Sequence, residues 1–87
     1  MDLVAFKEKL DNTHTFPTTY TYKFIVTSTD SLIQEVRNLF KPESTLILKQ
    51  SSNKKYTSVT AKQHELNSDH IIDTYLKAKE IQGIISL

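Results

Sequence analysis

The apolar residues of this chain change spacing from period two to a helical period and back, twice. Residues 19–28, TYTYKFIVTS, put Tyr20, Tyr22, Phe24 and Val26 on one side and Thr21, Lys23, Ile25 and Thr27 on the other. Such alternation in β-branched and aromatic residues specifies a strand with one buried face. The next stretch, STDSLIQEVRNLFKP, gathers Leu32, Ile33, Val36, Leu39 and Phe40 on one side of a helix. Thr29 or Asp30 supplies a cap oxygen for its first free N–H groups, and Pro42 ends it. Residues 45–50, TLILKQ, and 56–64, YTSVTAKQH, read as two further strands. SSNKK joins them with a turn at Asn53-Lys54, and so short a connection makes them antiparallel neighbours.

Asn67 or Ser68 opens a second helix with an apolar stripe of Ile71, Ile72, Tyr75, Leu76 and Ala78. Gly83, the only glycine, marks where that helix stops, because glycine takes the left-handed conformation cheaply. IISL is the final strand. Ahead of all this, Leu3, Phe6 and Leu10 at i, i+3, i+7 define a short helix that ends before DNTHTFP.

The order is therefore a helix followed by β-α-β-β-α-β. Each of the two long helices needs a sheet face to bury its stripe. An α+β, ferredoxin-like plait satisfies both, with a four-stranded antiparallel sheet and two helices on one face. Right-handed crossovers put the first and third strands in the centre. Residues 1–87 make a single domain, with 1–15 as an N-terminal helix and loop. Tyr22, Phe24, Val26, Val59 and Ala61 face the helices. The other face is open, and Lys23, Tyr56, Ser58 and Lys62 lie on it. The strand TLILK is apolar on both sides at Leu46, Ile47 and Leu48. A solvated edge should alternate, so a cover is expected there: the N-terminal helix or a second subunit.

Composition narrows the function. Eleven basic and ten acidic residues leave a net charge of +1, too balanced for a general nucleic-acid or membrane partner. The one strongly one-signed stretch is 44–64, with Lys49, Lys54, Lys55 and Lys62 and no acid. The chain has no cysteine, which removes disulfides and thiolate metal sites and fits a reducing compartment. The N-terminus is charged and periodic, unlike a signal peptide. No apolar run reaches the roughly 20 residues that cross a bilayer. A cytoplasmic protein is expected.

Few residues are arranged for chemistry. His14, His64 and His70 have no familiar metal-ligand spacing and read as solvated loop residues. Asp69 and Asp73 lie one turn apart on a helix face that favours acids near its start. A single glycine excludes a Walker A loop and a dinucleotide fingerprint, which need several. No serine has the flanking glycines of a nucleophile elbow. Arg37, the only arginine, falls mid-helix, where it cannot serve an acylphosphatase-like loop. The aromatic-glycine consensus of an RNA-recognition motif is missing. No enzyme, no cofactor and no metal is expected.

FPTTYTYKFIV, KQSSNKKYTSVT and IIDTYLKAKEIQGIISL together resemble the YbeD-like family of small bacterial proteins of unknown function. The matching residues are Phe16, Pro17, Tyr22, Lys23, Ser51, Ser52, Tyr56, Ser58 and Val59, within about residues 14–87. The resemblance implies an α/β plait similar to ACT regulatory domains and a family with no established enzymatic activity. The segment VTSTDSL lacks the glycine that amino-acid-binding ACT domains use after their first strand. The reading reached is a regulatory or adaptor domain that binds a protein partner or a second copy of itself. Its interface edge is Leu46, Ile47 and Leu48. The alternative is a sensor of a small anion or metabolite, with Ser51, Ser52, Lys54 and Lys55 at the hairpin and Lys23, Tyr56, Ser58 and Lys62 on the adjoining face.

Overall fold

The computed structural model describes residues 2–87. Its elements are α1 (Leu3–Thr13), β1 (Thr18–Thr27), α2 (Asp30–Arg37), β2 (Thr45–Gln50), β3 (Tyr56–Glu65), α3 (Ser68–Ala78) and β4 (Ile85–Ser86). The four strands form one antiparallel sheet in the order β2-β3-β1-β4, with the first and third strands central. Tyr22, Phe24, Val26, Val59 and Ala61 all point into the core and none is more than 1% exposed. Val36 of α2 and Ile71, Tyr75 and Ala78 of α3 close over them in the same cluster. The other sheet face has no helix on it among the described residues. No helix among the described residues is long and apolar enough to cross a membrane.

Aromatic rings fill the centre of this core. Tyr75 stands 5.4 Å from the Tyr22 ring and 5.7 Å from Phe24, the latter edge-on. Edge-on pairs add roughly 0.5–1.5 kcal/mol beyond the area they bury. Helix α1 joins the same layer by setting Phe6 edge-on to Tyr75 at 5.5 Å and burying Leu10. Lys7 fixes it further, with bonds to Ser68 Oγ at 2.8 Å and Asp69 at 3.1 Å.

Several expected boundaries move. Helix α1 continues through Asp11, Asn12 and Thr13, because Asp2 caps its start and the His14 N–H still reaches the Leu10 carbonyl. Helix α2 takes Thr29 as its cap and ends at Arg37, short of Pro42. There the backbone tightens to i→i+3 bonds, Leu39 to Val36 and Phe40 to Arg37. That turn is what swings Phe40 inward. Helix α3 takes Asn67 as its cap and ends at Ala78. Gly83 therefore does not stop it. Gly83 adopts φ +72° in the later turn that delivers β4. Leu76 stands at the margin of the apolar stripe and is exposed. IISL contributes only two residues to the sheet.

The hairpin turn is one residue earlier than expected. The Lys54 N–H donates to the Ser51 carbonyl at 2.9 Å, so Ser52 and Asn53 are the central pair. Lys54 follows in the left-handed region at φ 61°. The edge strand β2 is also less anomalous than its sequence. Leu46 and Leu48 pair with Ala61 and Val59 on the inner face and pack against the core. Only Ile47 is left on the open side, 56% exposed. Helix α1 is not its cover, since it packs on α3.

Candidate functional site

Two regions gather polar side chains, one on each side of the sheet. On the open face, register places Lys23 opposite Thr60 and Thr60 opposite Ile47. Lys62 lies one row along, between Thr21 and Thr45, and Lys49 lies opposite Ser58. With strands about 4.8 Å apart and residues about 3.3 Å apart along them, these three lysines share one patch. No outward position of the four strands carries a carboxylate. Exposed Ile47, Tyr56 and Ile85 lie on the same face. Ile25, Lys49, Gln50, Ser51, Tyr56 and Ser58 line a shallow depression there of about 200 Å³.

The hairpin end of this face is occupied with its own turn. Ser51 Oγ donates to Asn53 Oδ1 at 2.8 Å and accepts from the Tyr56 N–H at 3.1 Å. Asn53 Oδ1 also accepts from the Lys55 N–H at 3.0 Å. The Lys55 ammonium rests 5.5 Å from the centre of the Tyr56 ring. Ser51 thus holds the turn, while Ser52, Lys54 and Lys55 are exposed at the tip. Lys62 is six residues along β3 from Tyr56, about 20 Å away. The structure brings Lys23, Lys62 and Ser58 together and sets the hairpin tip apart from them. It adds Lys49, which shares the outward side of β2 with Ile47.

The second region is a cleft of about 370 Å³ on the helix side, between the end of α2, the end of β3 and α3. At its base Glu65 is 1% exposed. The Tyr22 hydroxyl donates to Glu65 Oε2, and Gln63 Nε2 donates to the same oxygen at 3.0 Å. Gln63 Oε1 in turn accepts from the Lys41 N–H and from Ser44 Oγ, each at 2.8 Å. This chain of bonds ties the α2–β2 connection to the sheet. Burial, then the Glu65 carboxylate, hold the Tyr22 hydroxyl protonated well above the usual tyrosine range. Burial does the same to Tyr75, helped by the Tyr20 hydroxyl at 3.1 Å. The strand expected over 56–64 ends one residue short of β3, which runs on to Glu65. Extending the alternation past Ala61 would have turned Gln63 and Glu65 inward.

The remaining candidates are dispersed. Asp69 pairs with Lys7, and Asp73 pairs with Lys77 at 3.0 Å. His14 caps the end of α1. Among the described residues no three His, Cys, Asp or Glu side chains are grouped to hold a metal ion. A family model described as "Protein of unknown function (DUF493)" matches residues 11–87. No curated protein and no solved structure matches the chain.

Proposed function

Because the chain belongs to the DUF493 family, the YbeD-like proteins of unknown function, we propose from its own geometry that it is a non-catalytic adaptor or regulatory domain. It docks an acidic protein segment on the open sheet face. The observation that carries this is the patch of Lys23, Lys49 and Lys62 with no outward carboxylate to neutralise it. Complementary charge steers association and fixes register, and the exposed Ile47, Tyr56 and Ile85 supply apolar contact. The strand order and the helices on one face support a ferredoxin-like plait of ACT-like kind, which leaves such a face free.

A protein segment suits this face better than the alternatives. Single-stranded nucleic acid wants several stacking rings, and Tyr56 is the one exposed aromatic residue here. Two copies face to face would oppose lysines to lysines. The depression of about 200 Å³ is small beside the roughly 300–1,000 Å³ of ordinary ligand pockets. An anion sensor at the hairpin would need serine donors, and Ser51 serves its own turn.

The test is titration with an acidic amphipathic peptide, followed by amide chemical shifts. Saturable shifts across β1, β2 and β3, lost in Lys23→Glu/Lys49→Glu/Lys62→Glu and kept in Lys54→Glu/Lys55→Glu, support the reading. Equal binding by the two variants overturns it. Saturation by oligonucleotides alone would replace the protein partner with nucleic acid.

A further inference from the structure

The cleft beneath α2 and α3 is a different matter, on the other side of the sheet and independent of the open face. We propose that it binds a primary ammonium or guanidinium group on a short methylene stem, with Glu65 as the counter-charge. Glu65 is buried, and among the described residues no lysine, arginine or histidine pairs with it. The two lysines at the rim do not fill that role. Lys77 is engaged with Asp73 at 3.0 Å, and the Lys41 side chain is exposed. A buried carboxylate without a cation is costly unless donors surround it.

The two donors present leave half of it free. Tyr22 and Gln63 both donate to Oε2, and Oε1 takes no hydrogen bond from any described residue. No side-chain nitrogen or oxygen among the described residues is both sealed from solvent and unpartnered. Oε1 is therefore the oxygen that meets the cleft. An ionised carboxylate accepts about four hydrogen bonds, and an N–H cation supplies two or three from one group. Oxygen ligands for a metal are too few here.

The walls select the rest of the ligand. Leu39 and Phe40 give an apolar side that fits methylenes, as lysine and arginine stems pack against apolar surface. Thr74, His70 and Asn38 line the other side, and the Asp73–Lys77 pair adds no net charge. The volume of about 370 Å³ holds a small amine or a single side chain. The chemistry is the same for a free amine and for a lysine or arginine of a partner.

The experiment is an amide titration of the full chain with n-butylammonium and ethylguanidinium chloride, against tetramethylammonium chloride at matched ionic strength. The expected result is saturable shifts of the Gln63 side-chain amide and of the Lys41 and Thr74 backbone amides with the two N–H donors. Tetramethylammonium, which has the charge and no N–H, should not saturate. Glu65→Gln keeps an acceptor oxygen and removes the charge, and it should weaken binding by about tenfold or more. Blocked Gly-Lys-Gly and Gly-Arg-Gly peptides separate the sources. Tighter saturation by the peptides assigns a partner's side chain, and tighter saturation by the free amines assigns a small molecule. No saturation by any probe, equal response to tetramethylammonium, or unchanged binding by Glu65→Gln overturns the proposal. Should Glu65→Gln fail to fold, the wild-type comparison with tetramethylammonium decides alone.

Discussion

Replacing Tyr22 with Phe removes one oxygen from the core and nothing else. The ring keeps its neighbours, Tyr75 at 5.4 Å and Phe40 at 5.2 Å, so no cavity opens. What is lost is the hydroxyl that donates to buried Glu65, leaving Gln63 as the only donor to Oε2. Hydrogen bonds to charged groups contribute roughly 1.5–3 kcal/mol each. A domain of this length has a total stability of about 4–13 kcal/mol. Tyr22→Phe should thus lose a substantial share of it and lower Tm by roughly 6–24 °C. Urea unfolding followed by circular dichroism measures the change, with an unchanged m-value expected. The same substitution in a Glu65→Gln background supplies the control. There the acceptor is neutral, and the hydroxyl should matter by only about 1 kcal/mol. Equal losses in the two backgrounds, or a loss under about 0.5 kcal/mol in the first, would refute the assignment of a buried, charged acceptor.

Phe24→Ala should cost roughly 3–5 kcal/mol in urea melts, since Phe24 is fully buried among Tyr22, Phe40 and Tyr75. Lys54→Gly should raise stability by about 1 kcal/mol in the same melts, because Lys54 holds φ 61° and glycine carries no Cβ penalty there. Alkaline pH should unfold the domain. Tyr22 and Tyr75 are both raised above the ordinary value of 10.0. Their contribution is complete below that value and is lost as pH rises past it, when the unfolded chain ionises first. Tyr22→Phe/Tyr75→Phe should flatten the pH–stability curve above pH 10.

Period and punctuation made the fold legible, and they failed where a residue answers to something outside its own segment. The inward set Tyr22, Phe24, Val26, Val59 and Ala61 followed from alternation alone, because one buried sheet face admits a single register. Pro42 misled about the end of α2, since the chain had already tightened at Leu39 and Phe40. Gly83 misled about the end of α3, because a left-handed residue serves any tight turn as well as a helix cap. The open-face lysines could be read from the sequence, but their clustering needed register. Lys49 joins Lys23 and Lys62 only once β2 is aligned on β3. Glu65 was missed for a deeper reason. A carboxylate at the end of a strand reads as solvent-facing, and the hydroxyl of Tyr22, 43 residues away, makes its burial tolerable together with the Gln63 amide.

That long-range pair bears on why Glu65 is there at all. The face it occupies packs against the helices, and Val59 and Ala61 on the same strand are fully buried. An apolar residue at position 65 with phenylalanine at 22 would remove two buried polar groups, but it would leave Gln63 Nε2 without its acceptor. Such an orphaned donor costs about 1–3 kcal/mol. Packing and hydrogen bonding thus account for an acceptor oxygen at position 65. Its hydrogen bonds through Gln63 to the Lys41 N–H and Ser44 explain how the α2–β2 connection is held. They do not require a charge, since a glutamine at 65 could accept from Tyr22 as well. The charge is what the proposed cation in the cleft would meet, at Oε1, which takes no hydrogen bond from any described residue.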